Sequence, residues 1–169
     1  MPLRVLGIDP GSQVMGFGVV ESSGSSLVLV EGGCVVTKAG DPFEQRLATL
    51  HEALCRLIER TQPEHAAVET IFFAKNVKSA VQLGHARGVA LLAAAQAGLP
   101  VHEYAPSEVK RAVTGAGGAE KEQVAHMVKL LLGPTFAKLA TTRLDATDAC
   151  AVAICHANTW RTKSRVVGA

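Results

Sequence analysis

The chain has 169 residues, of which 48% are hydrophobic and 19% charged, and a formal net charge of +2. That length suits one domain able to bury roughly two-thirds of its unfolded surface. A charge so near neutral excludes a strongly basic or acidic protein, so any nucleic-acid partner must be read from local charge distribution. Cys34, Cys55, Cys150 and Cys155 form no CxxC pair, and the six histidines lack zinc-finger spacing. A structural zinc is therefore not expected, and free thiols in a reducing cytoplasm are. The longest apolar stretch, residues 89–95, is far too short to span a bilayer, and no charged-then-apolar signal segment opens the chain. The expectation is a cytoplasmic protein with no membrane partner.

Residues 3–9, 16–22 and 27–37 read as three strands separated by Pro10-Gly11-Ser12 and Ser23-Gly24-Ser25. Such short connections suit antiparallel neighbours. Asp41-Pro42 then opens a helix, with Asp41 as cap and Pro42 in the first turn. Leu47, Leu50, Leu54, Leu57 and Ile58 give that helix an apolar stripe. Residues 65–69 form a short apolar strand of the kind found inside a covered sheet. A long helix over 76–98 and a strand over 100–104 follow. Helices over 107–113 and 120–132 flank a glycine-rich loop, and a last helix covers about 142–159. The order implies an α/β fold: a mixed five-stranded sheet, its first three strands antiparallel, with helices on both faces. Residues 1–159 form the single domain. Residues 160–169, with Arg161, Lys163 and Arg165 and no acid, read as a loose basic tail.

Four acids stand where an acid is unwelcome. Asp9 ends the run Leu3 to Ile8, Glu69 ends His65 to Val68, and Asp145 and Asp148 open an apolar helix. An ionised carboxylate beside a core is costly unless it is paired, protonated or metal-bound. Asp145 and Asp148, three apart, share a helical face that Val152 and His156 continue. Each acid has a plainer reading alone: Thr142 to Asp145 matches a capping box, Asp9 a turn cap, and Glu69 an exposed strand end. Together they read differently. If the first and fourth strands are neighbours, Asp9 and Glu69 fall at one edge, and gathered carboxylates repel unless cations neutralise them. Oxygen ligands favour Mg²⁺ or Mn²⁺ over zinc, and two such ions roughly 4 Å apart suit phosphodiester hydrolysis. The turn Asp9-Pro10-Gly11-Ser12 also resembles the phosphate hairpin of sugar kinases and actin-like ATPases, but those enclose ATP between two domains and this length supplies one.

Several segments, in this order, resemble the RuvC family of crossover-junction endodeoxyribonucleases. They are Leu6-Gly7-Ile8-Asp9-Pro10-Gly11, Glu69-Thr70-Ile71-Phe72-Phe73-Ala74-Lys75-Asn76, Gln82-Leu83-Gly84-His85-Ala86-Arg87-Gly88, residues 114–121, and Asp145-Ala146-Thr147-Asp148-Ala149. The similarity spans residues 3–156. It implies a ribonuclease H-like fold and a homodimer that resolves Holliday (four-way) DNA junctions by paired symmetric nicks. It further implies two Mg²⁺ per site, with Mn²⁺ as substitute, and the RuvA and RuvB branch-migration proteins as partners. It assigns catalysis and metal binding to Asp9, Glu69, Asp145 and Asp148. The competing expectations are a ribonuclease H-like enzyme acting on RNA or hybrids, and an inactive junction-binding scaffold.

Phe72 and Phe73 stand beside Lys75, Asn76 and Lys78, and aromatics among cations suit a distorted duplex. By similarity, Phe72 meets the junction centre; packing into the core is the alternative for both rings. Lys110 and Lys121 bracket the loop 114–119, which runs into a helix N-terminus fit for a phosphate. Gly84 and Gly88, four apart, let a helix approach closely, either at a subunit interface or on the chain's own sheet. His85, His102, His126 and His156 read as packing or surface residues, and the pair His51 and Cys55 has no further ligand to complete a site.

Overall fold

The computed structural model describes residues 2–70, 76–141 and 143–167, with side chains as far as residue 163. In chain order these form β1 (Leu3–Asp9), β2 (Val14–Ser23), β3 (Ser26–Val36), α1 (Phe43–Thr61), β4 (His65–Glu69), α2 (Val77–Gln96) and β5 (Val101–Tyr104). There follow α3 (Pro106–Thr114), α4 (Lys121–Leu132), a 3-10 helix (Gly133–Lys138) and α5 (Leu144–Val167). The sheet order is β3-β2-β1-β4-β5. β1 pairs antiparallel with β2, and β2 with β3, whereas β1–β4 and β4–β5 are parallel. This is the mixed sheet expected from the sequence.

Alternation along the strands sends side chains into two cores. Leu6, Ile8, Val19 and Val68 pack with Leu50, Leu54 and Leu57 of α1 and Ala86, Ala90 and Ala93 of α2. Val5, Val20 and Ala67, of opposite parity, pack with Val109 and Val113 of α3, Val124 and Val128 of α4, and the buried stretch of α5 from Cys150. Fully burying an aliphatic chain such as Leu6 or Ile154 contributes about 1.5–3 kcal/mol. Small residues set how closely α5 lies on the sheet. A Cβ on Gly7 would collide with the Ala149 carbonyl, and one on Gly16 with the Asp145 carbonyl. Both glycines are needed for this approach.

Three local expectations are corrected, and one element was not foreseen. β2 starts at Val14 rather than residue 16. Pro42, not Asp41, occupies the cap of α1, its carbonyl accepting from the Gln45 and Arg46 amides, while the Asp41 amide donates to Lys38. Gly133–Lys138 form a 3-10 helix that apolar periodicity did not reveal. The last helix starts at Leu144 and runs to Val167, through most of the stretch read as a loose tail. No Gly or Pro interrupts residues 160–167. Trp160 packs its ring 4.5 Å from that of His65, and Arg161 donates to the Gly24 carbonyl at 2.9 Å. These contacts anchor the first turn beyond Thr159.

Candidate active site

The strand register builds the site. Val5 pairs with His65 and Ile8 with Val68, so the next rung sets Asp9 beside Glu69. Parity places both on the face that α5 covers, with Val5, Gly7 and Ala67. Asp9 also pairs across the sheet with Gly16, against which the Asp145 carbonyl rests. The first turn of α5 is thereby laid over the C-terminal end of β1, bringing Asp145 and, one turn on, Asp148 to the two strand acids.

Electrostatics records the convergence. Burial, then the charges of Asp148, Glu69 and Asp145, push Asp9 from 3.8 up to about 7, against a lowering by Lys121. Burial and Asp148 raise Glu69, while Lys121 and Lys110 pull it down. Burial also raises Asp148, opposed by Lys121, with Asp145 adding to the rise. Lys121 comes no nearer than 3.9 Å to Asp148 and is 71% exposed, so it does not neutralise the group. Among the described residues no arginine or lysine clamps the four acids. The donors are all carboxylate oxygens, half-buried and short of positive charge, a chemistry that fits a hard divalent cation; no three of the four acids set one oxygen each within 4.8 Å of the others, so a bound ion would draw them closer.

A cleft of about 240 Å³ opens beside them, lined by Glu69, Asp148, Lys110 and Lys121. Lys110 projects from α3 and Lys121 begins α4, so the two lysines singled out in the sequence share one wall. The glycine-rich loop between them turns through Gly115, whose φ of 83° suits glycine. The Glu120 amide is taken by Gln123 Oε1 at 2.9 Å, which leaves less of the α4 N-terminus open to an anion than the sequence implied. Asn76 caps α2, accepting from the Ser79 amide at 2.8 Å, and Lys78 is exposed on its first turn. Phe72, Phe73 and Lys75 lie outside the described residues, as does Thr142 of the candidate capping box.

Arg46 is the residue that sequence reasoning missed. It is buried in the apolar stripe of α1 and donates to the Ser12 carbonyl at 2.7 Å and to Thr37 Oγ1 at 3.2 Å. Thr37 Oγ1 donates to the same Ser12 carbonyl at 2.9 Å. The turn that follows Asp9 is thus pinned from below. The signal was an arginine four residues before Leu50 and eight before Leu54, where the stripe calls for an apolar residue. Arg87 bonds Glu103 at 2.6 Å and ties α2 to β5.

The family described as crossover junction endodeoxyribonuclease RuvC matches residues 5–156. A RuvC from Chloroflexus aggregans is 54% identical over 165 residues, covering 96% of this chain and 98% of that protein. One from Geobacter sulfurreducens is 49% identical over 163 residues, covering 96% of each. The solved Thermus thermophilus RuvC superposes with a TM-score of 0.84 at 38% identity, covering 95% of this chain and 97% of that one. The same enzyme in complex with Holliday junction substrate gives 0.88 at 37% identity, over 96% and 97% of the two chains. The yeast mitochondrial Holliday junction resolvase Ydc2, at 13% identity and a TM-score of 0.67 over 96% of this chain and 82% of its own, shares the fold. Matched along almost its whole length, the chain belongs to the RuvC family of crossover junction endodeoxyribonucleases.

Proposed function

We propose that this chain resolves Holliday junctions by paired symmetric nicks, with Asp9, Glu69, Asp145 and Asp148 holding two Mg²⁺ ions at each site. The observation that carries the reading is that Asp148 and Asp145 of α5 and Glu69 of β4 all stand close enough to Asp9 of β1 for their charges, with burial, to push it to about 7. Divalent-metal use belongs to the family; the identity of the metal as Mg²⁺ and the count of two rest on the oxygen-only donor set and the number of acids. Bound there, such a pair supplies Lewis acidity to the attacking water and to the leaving oxygen.

The chain's own residues do the rest. Asp9 and Glu69, fixed on neighbouring strands, set the spacing of the donors. Asp145 and Asp148 close them from above, at a helix N-terminus whose dipole favours negative charge. Lys110 and Lys121, across the cleft, offer positive charge to the scissile phosphate as it gains charge in the transition state. The products are a 5′-phosphate and a 3′-hydroxyl, which a ligase can seal. Phe72, Phe73, Lys75, Asn76 and Lys78 are proposed to meet the junction, on the resemblance and on their composition.

Two opposed strands must be cut, and a two-fold junction calls for an isologous dimer. Helix α2 has a surface for it. Val77, Val81, Gly84, Gly88 and Leu92 fall on one exposed face, with Val77 80% and Leu92 51% accessible. A Cβ at Gly84 or Gly88 would meet nothing within 4 Å, so the chain's own packing does not require glycine there. Close approach by a partner helix does. RuvA and RuvB are the proposed branch-migration partners and the cytoplasm the proposed location. No described helix is long and apolar enough to cross a membrane.

Incubation of a synthetic four-way junction with Mg²⁺, Ca²⁺ or chelator tests the function, with an RNA–DNA hybrid duplex as competitor. Symmetric nicks in the junction with Mg²⁺ alone are expected. Equal cutting of the hybrid, or cutting of neither substrate, would overturn the proposal.

A further inference from the structure

We infer that His65, His102 and His156 form a second metal site, suited to a borderline transition ion such as Zn²⁺, at the end of the sheet away from the carboxylates. His65 opens β4, His102 sits on β5 opposite Ala67, and His156 lies in the C-terminal half of α5. Strand parity points His65 and His102 to the α5 face, as it does Ala67. One ring nitrogen from each of the three histidines lies within 4.8 Å of those of the other two. His65 Nδ1 and His156 Nε2 are 2.8 Å apart, and the His102 ring stacks on that of His156 at 4.2 Å. His102 Nε2 is buried and has no hydrogen-bond partner among the described residues. Three imidazoles converging from three elements, one with an unused buried nitrogen, are the donor set that suits zinc, copper or nickel.

The surroundings favour a metal over a proton. His156 is buried and His65 and His102 are half-buried, surroundings poorly suited to a charged imidazolium and open to a neutral ring that ligates. Glu64 near His65 and Lys163 near His102 and His156 oppose each other in sign. The Tyr104 hydroxyl lies 2.7 Å from His156 Nδ1. With His156 Nδ1–H donating to that hydroxyl, Nε2 is left as the ligand atom, the arrangement by which second-shell groups fix a metal-binding tautomer. A tetrahedral ion with Zn–N bonds of about 2.0–2.1 Å holds its nitrogens roughly 3.3 Å apart. The 2.8 Å pair would open by about half an ångström and the third ring draw in, within reach of small ring rotations.

The two sites cannot share an ion. Asp148 and His156 are eight residues apart on α5, roughly 12 Å at the rise of a helix. Glu69 and His65 are separated along β4 by roughly 13 Å. Hard ions would serve chemistry at one end, and a borderline ion would tie β4, β5 and α5 together at the other.

The full-length Asp9→Asn protein, its carboxylate site weakened, is titrated with Zn²⁺ and with Co²⁺. One equivalent should bind, with visible Co²⁺ d–d bands and a Zn²⁺-dependent rise in Tm of several degrees. His102→Gln and His65→Gln, each in the same background, should weaken binding at least ~10-fold and abolish the Tm rise. His102→Gln made alone should keep Mg²⁺-dependent junction cleavage, which verifies its fold; the buried His156 is left intact for the same reason. Absence of stoichiometric binding, or binding undiminished by both histidine changes, would overturn the proposal.

Discussion

Replacing Asp9 by Asn should stabilise the metal-free protein while abolishing cleavage, because the folded chain holds this carboxylate against its own charge. Burial and the three neighbouring acids carry Asp9 from 3.8 to about 7. That displacement corresponds to on the order of 4 kcal/mol between the two protonation states, an upper figure because the acids titrate as a coupled set. A group whose folded pKa is raised binds its proton more tightly folded than unfolded, so its contribution falls as pH rises from 3.8 to about 7. His65, His102 and His156, all below 6.5, act in the opposite sense, since they gain protons on unfolding and destabilise the fold as pH drops below 6.5. Asp9→Asn leaves those histidines in place, so the difference between variant and wild type isolates the acid. In urea unfolding with chelator, the variant should exceed wild type by about 1–4 kcal/mol at pH 8 and by little at pH 4. Mg²⁺ should narrow the gap at pH 8 by binding the folded wild type. A gap independent of pH, or a variant less stable than wild type at pH 8, would refute the reasoning.

Gly16→Ala should cost about 1–3 kcal/mol in thermal or chemical unfolding, since the new methyl displaces the Asp145 carbonyl. Nicking should fall further than junction binding in a gel-shift assay; equal loss of both would separate Gly16 from the geometry of the acids. Val81→Arg places a charge in the exposed stripe of α2, and on the proposed dimer sedimentation should show a shift to monomer together with loss of coupled nicks. An unchanged sedimentation coefficient would remove α2 from the interface.

The fold was legible because each layer wrote its own period into the sequence. Strands β1 and β4 are bounded as the apolar runs 3–9 and 65–69 indicated, and the two core faces follow from alternation within them. The acids were legible because Asp9 and Glu69 sit at the ends of those runs, where a charge needs a reason. Three features were not legible, for separate reasons. Arg46 looked like one charge on an amphipathic helix; only the fold shows that Ser12 and Thr37 give it oxygen partners inside. The extension of α5 depended on a ring contact between Trp160 and His65, distant in sequence. The three histidines carry no local spacing, since β4, β5 and α5 each supply one, and the parallel pairing of β4 with β5 alone aligns the first two.

What holds the acids together is packing against small residues rather than any bond between charges. The carboxylates repel one another, and among the described residues the nearest cation is an exposed lysine at 3.9 Å. The opposing force comes from cores on both sides of the sheet. Gly7 and Gly16 let the helix backbone rest on the strands, and Ala146, Ala149 and Ala153 on the helix are fully buried. Any larger residue at these contacts lifts the helix and separates Asp145 and Asp148 from Asp9. Each acid stands on an element anchored in a core, two on the strands β1 and β4 and two on α5, so repulsion can be relieved only by proton uptake, by cation binding or by unfolding. In a fold that resists the third, proton uptake serves at and below about pH 7, where Asp9 titrates, and cation binding is the route left above it. The same glycines and alanines that bring α5 down onto the sheet therefore make the site receptive to a divalent ion.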